Sequence, residues 1–209
     1  MSCSFKMDMV TNAIKDDDID KASKLNQEFN LDLKKALFDA IRNDEEFAVS
    51  LIDGSKSLNI PLSEADAHNQ TPLLLACGLK KPKIAKAILK ESKNQDIAIA
   101  INTQDGYGRT PLLWACKNGW TDMFVKIFEV CKDADVELDL NTKDKGDMTG
   151  FILACKEKHS ELISLLIVGA EHLKIDLQAK DYRDRSGFDH FPEHFNNSNS
   201  NLDSDSDSD

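Results

Sequence analysis

Apolar residues along this chain come in dense blocks that repeat, with no sustained apolar–polar alternation. Thr71-Pro72-Leu73-Leu74-Leu75-Ala76-Cys77 is followed 39 residues later by Thr110-Pro111-Leu112-Leu113-Trp114-Ala115-Cys116. After another 39 comes Thr149-Gly150-Phe151-Ile152-Leu153-Ala154-Cys155. Behind each block runs a second apolar set: Ile84, Ile88 and Leu89, then Met123, Phe124, Ile127 and Phe128, then Leu162, Ile163, Leu166 and Ile167. Steps of three and four place each set on one face of a helix. The pattern predicts an all-α chain of repeated helix pairs.

Each part of the block has a physical role. Thr71, Thr110 and Thr149 are expected N-caps, their hydroxyls accepting from free N–H groups of the first helical turn. Pro72 and Pro111 stand at the first helical position, where a missing N–H costs nothing. Gly150 replaces that proline in the third copy, so its helix is expected to start less firmly. The Ala-Cys pair keeps the first helix slim, and Asn118-Gly119 is a tight turn into the second. Turn-rich stretches before the threonines, 102–109 and 141–148, read as projecting fingers. Outside the three clear copies, Ala36 to Asp44 with Phe47, Ala48, Leu51 and Ile52 predicts a further helix pair. Ala13, Ile14, Ile19, Ala22 and Leu25 predict a shorter one before it.

These residues resemble the ankyrin repeats. Asp105, Gly108, Thr110, Pro111, Leu112, Ala115 and Gly119 match that family's pattern of finger, first helix and turn. The resemblance is clear over about 64–182 and implies an all-α ankyrin-repeat solenoid: stacked helix-turn-helix pairs, β-turn fingers and a concave face that binds proteins. The interval of 39 is longer than the family's usual repeat of about 33 residues. The excess falls at 91–98 and 130–137, as longer second helices would produce. The organisation expected is an atypical helical cap over 1–30, ankyrin repeats over 31–191, and a disordered acidic tail over 192–209. Just before that tail, over Asp181 to Phe191, Ser186-Gly187-Phe188 opens a last finger and first helix with no second helix after it. Leu162, Leu166 and Phe188 would then be left as exposed apolar surface.

Carried over position by position, the binding residues implied are His68, Gln70, Tyr107, Arg109, Lys117, Asn118, Trp120, Met148, Lys156 and Glu157. Tyr, Arg and Trp dominate binding hot spots, which singles out Tyr107, Arg109 and Trp120. Trp120 reads equally as an exposed anchor or a half-buried turn filler, whereas Trp114 lies in a core slot.

Composition adds limits. Hydrophobic residues make up 41% and charged residues 30% of the 209, with a net charge of -11. Such acidity disfavours direct contact with nucleic acid or anionic lipid. It serves solubility, or else a basic partner, so the alternative function is charge masking of a basic nucleic-acid-binding protein. Four aspartates alternate with serines over 203–209, and Ser204 and Ser206 each have Asp three residues on, an acidophilic phosphorylation pattern. Met1 to Asp8 lacks the apolar run of a secretory signal, and Leu162 to Ala170 is about half a membrane span. Three of five cysteines keep the interval of 39, as packing positions do, so a reducing cytoplasm or nucleus is expected. His190-Phe191-Pro192-Glu193-His194 spells a zinc-peptidase string, but Pro192 would break the single helix such a site needs. Cys155 and His159 align with Cys116 and Trp120 one repeat earlier and read as packing residues. No catalytic residue, metal or cofactor is expected. The expectation is a monomeric, non-catalytic intracellular adaptor or inhibitor with a protein partner.

Overall fold

The computed structural model describes residues 3–91 and 100–199. It divides into two compact units, Met1–Gly106 with Lys126–Glu137, and Tyr107–Val125 with Leu138–Asp209. Among the described residues the regular structure is helical, and one isolated antiparallel bridge joins Lys180 to Ser186.

The first unit opens with α1 (Cys3–Lys15), α2 (Ile19–Phe29), α3 (Leu33–Asn43), α4 (Glu45–Asp53) and α5 (Ser55–Leu58). Then come α6 (Pro72–Gly78) and α7 (Pro82–Lys90). The starts are set by side chains that accept N–H groups of the first turn: Asp18 from Lys21, Asp32 from Lys35, Asp44 from Phe47 and Thr71 from Leu74. Asn30 and Asn59 end α2 and α5 in the left-handed conformation, with φ of 49° and 53°. Helix α3 lies on α4 and α6, α4 on α7, and α1 on both α2 and α4. Leu37, Ile41, Leu51, Ile52, Leu73, Ile84 and Ile88 close the core completely. At 13 and 11 residues, α1 and α2 are not a shortened pair.

The second unit holds α8 (Pro111–Asn118), the start of α9 (Thr121–Asp133), α10 (Gly150–Lys156), α11 (Ser160–Leu173), α12 (Gly187–His190) and α13 (Pro192–Asn199). The slim first helices α8, α10 and α12 lie side by side, with α11 on α10 and α13 on α12. The second helices α9 and α11 run to 13 and 14 residues, and these carry extra length of the 39-residue interval. Residues 92–98 of the other insertion lie outside the described residues.

Helix α10 has the same threonine cap as α8 with a longer bond: Thr149 Oγ1 accepts from Ile152 N–H at 3.4 Å, and Thr110 from Leu113 at 3.2 Å. Gly150 stands there because a Cβ would approach Cys116 Sγ to 2.9 Å, so the glycine permits close helix packing. The last finger does have a second helix. Residues 192–199 form α13 rather than disordered tail, begun by a proline at its first position and held where Phe195 meets Phe188 edge-on at 4.7 Å. Finally, Leu162 and Leu166 are buried at 0% and 3%, while Leu165 and Val168 carry the exposed apolar surface of α11.

Gly119 sits at φ 68° between α8 and α9, and an added Cβ would stand 2.4 Å from His159 Nδ1. Strain at positive φ and displacement of the imidazole act together in Gly119→Ala. We expect it to lose about 1–3 kcal/mol of stability, read by urea unfolding.

Candidate protein-binding site

Three fingers among the described residues are each organised by one aspartate. In the first unit, Asp66 Oδ1 accepts the N–H groups of His68 and Gln70 at 2.9 and 3.0 Å. Its Oδ2 accepts from Arg42 at 3.1 Å. Asn69, at φ 58°, takes the left-handed corner of the turn. Burial opposes the charge of Asp66, yet the two N–H groups and Arg42 outweigh it and hold the carboxyl below its ordinary range. His68 is exposed and Gln70 half-buried on this finger. His68 borders an open groove of 740 Å³ with Phe38 and Arg42. A larger groove of 940 Å³, framed by Met7, Phe29, Leu31, Ala36 and Phe47, lies on another side of α3. No motif marked it, because it is made by where α1 falls against α3 and α4.

In the second unit Asp144 repeats the arrangement. Its Oδ1 accepts from the N–H groups of Gly146 and Met148 at 2.8 and 3.2 Å, and its Oδ2 from Arg109 Nε at 3.0 Å. The Arg109 guanidinium lies 4.8 Å from the Trp114 ring centroid and 5.4 Å from that of Tyr107. Arg109 is therefore a strut between successive fingers. Tyr107 is 65% exposed beside it. At the last finger Asp181 accepts from Arg183 and Arg185 N–H groups, from the Arg185 guanidinium and from His190 Nε2. Burial opposes its charge, but these donors outweigh it and hold it well below the usual carboxylate range.

The other expected contacts divide by burial. Lys156 and Glu157 are exposed at the end of α10, where Glu157 pairs with Lys117 at 3.2 Å. Trp120 is half-buried, with its N–H donating to Ala115 O. Asn118 is half-buried, its Nδ2 enclosed with no acceptor among the described residues. Met148 differs from the expectation: it is 6% exposed, with its N–H donating to Asp144 Oδ1 at 3.2 Å and its Sδ 3.9 Å from Lys156 Nζ, so it is not an exposed contact. The serines Ser204 and Ser206 lie outside the described residues. The sequence does carry a signal for these turns: Asp66, Asp105 and Asp144 share the 39-residue interval.

The two histidines of the zinc-like string have separate partners. His190 Nε2 donates to Asp181 at 3.0 Å, while His194 stacks on Phe191. His159 Nε2 donates to Lys117 O at 2.9 Å, away from any role with Cys155. Burial pushes the Cys77, Cys116 and Cys155 thiols up to about 12, the opposite of an activated nucleophile. Among the described residues, no His/Cys/Asp/Glu group is placed to hold a metal ion, and no helix is long and apolar enough to cross a membrane.

Paired helices with an aspartate-cornered finger before each capped first helix are one structural unit used repeatedly. A family model for ankyrin repeats, in three copies, matches residues 97–181. Residues 97–181 are ankyrin repeats. No curated protein matches the chain. Ankyrin repeats are protein–protein interaction modules, which places the function of this segment in binding.

Proposed function

We infer that this chain is a non-catalytic intracellular adaptor or inhibitor that grips a protein partner through its fingers and first-helix ends. The observation that carries this reading is Tyr107, 65% exposed at a finger and standing beside an Arg109 locked by Asp144. A rigid aromatic held on a preorganised turn loses little entropy on binding, which suits a hot spot. Exposed Lys156 and Glu157 supply a polar rim close by in sequence to the α10 end. Arg109 is unsuitable as a probe of contact, since its removal leaves Asp144 buried without its cation.

The test captures partners from native extract on the full chain and on Tyr107→Ala/Lys156→Ala, and then measures the affinity of the partner recovered. Both substituted side chains are exposed, so the fold is expected to melt within a degree or two of the unsubstituted chain. A loss of partner affinity of about tenfold or more is the expected result. Affinity within twofold of the parent would remove this surface from the binding role. A partner lost when residues 197–209 are deleted, with Tyr107→Ala/Lys156→Ala without effect, would favour charge masking instead.

A further inference from the structure

Within the finger tips of the second unit, 143–147 and 180–184, the exposed charges are opposite in sign to the charge of the whole chain. Lys143, Lys145, Lys180 and Arg183 are exposed on them, against the exposed carboxylates Asp147 and Asp184. Asp184 is already paired with Lys180 at 3.0 Å. Asp144 and Asp181 are buried and committed to their turns. Among the described residues neither Lys145 nor Arg183 is paired with a carboxylate.

Backbone hydrogen bonds place these groups in a row. Lys145 N–H donates to Tyr107 O at 2.9 Å, and Tyr182 N–H donates to Gly146 O at 3.3 Å. Lys145 thus stands between two exposed tyrosines, Tyr107 at 65% and Tyr182 at 58%. The Arg183 guanidinium lies 5.1 Å from the Tyr182 ring centroid, which holds the cation at the surface without neutralising it. The row is short, cationic and aromatic, and its backbone is fixed by the aspartate turns.

Resting on the binding reading above, we propose that this ledge, with Lys145 and Arg183 as its cations and Tyr107 and Tyr182 as its contact rings, docks an acidic segment of a partner polypeptide. Extended backbone advances about 3.3 Å per residue, so a few residues with spaced carboxylates run along the row. The rings give a sequence-tolerant apolar contact and the cations select the charge. A nucleic acid is the poorer occupant. It carries a charge about every 1.7 Å of duplex and extends beyond the ledge into the field of a protein of net charge -11. A short peptide confines its charge to the ledge, within the screening length of about 8 Å.

The experiment titrates the full chain with three fluorescent probes at 0.15 M salt: a ten-residue Asp/Glu-rich peptide, its Lys-rich counterpart and a ten-nucleotide single strand. The acidic peptide is expected to bind best, and Lys145→Glu/Arg183→Glu to weaken it about tenfold or more without lowering the melting temperature. Tyr107→Ala/Tyr182→Ala should weaken it at unchanged net charge. No binding of the acidic peptide overturns the proposal, as does an affinity that charge reversal leaves unaltered or a preference for the oligonucleotide. If the peptide fails while the native partner is still captured through Tyr107, only the acidic-segment proposal falls.

Discussion

Phe151→Ala is expected to cost about 3–5 kcal/mol, a large share of the about 5–15 kcal/mol that holds a typical domain folded. Phe151 is 1% exposed and is the largest of the fully enclosed side chains. Its ring meets Phe188 edge-on at 5.4 Å, and a Cβ on Gly187 would come within 2.4 Å of it. Helix α12 is therefore seated directly on this ring. Truncation leaves a cavity that α12, only four residues long, cannot fill by turning. Two readouts separate the effects. Urea unfolding gives the total loss, and amide hydrogen exchange over 187–199 should rise more than that over α8. Phe151→Leu should recover most of the loss. A Phe151→Ala variant within 1 kcal/mol of the parent would mean that the ring does not organise this end.

Asp181→Ala should cost about 2–4 kcal/mol. Its side chain is 0% exposed and serves two backbone N–H groups, a guanidinium and an imidazole. Removal leaves those donors without an acceptor, and an unmet buried donor costs about 1–3 kcal/mol. Asp181→Asn should fall between, since the amide oxygen still accepts the turn's N–H groups while the charge is lost.

The same carboxylate makes stability depend on acid. Its value is lowered on folding, so its contribution is complete above the unfolded value of about 3.9 and declines as pH falls below it. Asp44, Asp66 and Asp189 are lowered too, each with N–H groups of its own turn or helix start among the causes. The melting temperature is therefore expected to hold from pH 7 to about 5 and to drop below about 4. Asp181→Asn should lessen that drop. A parent chain whose melting temperature does not change between pH 5 and 3 would contradict this account.

The helix pairs and their order could be read from the sequence because their causes are local. Thr71, Thr110 and Thr149 cap whatever follows them, and apolar residues at steps of three and four need a neighbour wherever they stand. The ankyrin pattern was legible for the same reason: it is a list of caps, turns and small residues at a constant interval. Less of the site was legible. Family position suggested Met148 as a contact, yet its side chain is buried, while His68 on an equivalent turn is exposed. Arg109 was expected at the surface, but its role is decided by a carboxylate 35 residues away.

The last helix shows the same limit. Residues 192–199 contain little that is apolar, and composition alone argues against order. One residue reverses that: Phe195 finds Phe188, itself placed by Phe151 from another repeat. Composition averages over a segment, whereas burial depends on what lies opposite one side chain. Thus the all-α class, the capped helix starts and the repeating interval can be read along the chain, because they follow from neighbours in it. Which finger side chains face solvent, and the assembly of Tyr107, Lys145, Tyr182 and Arg183 into a ledge, come from the folded chain. The ledge depends on contacts between groups 35 or more residues apart, whose geometry no local pattern contains, whereas each aspartate turn closes over two to four residues.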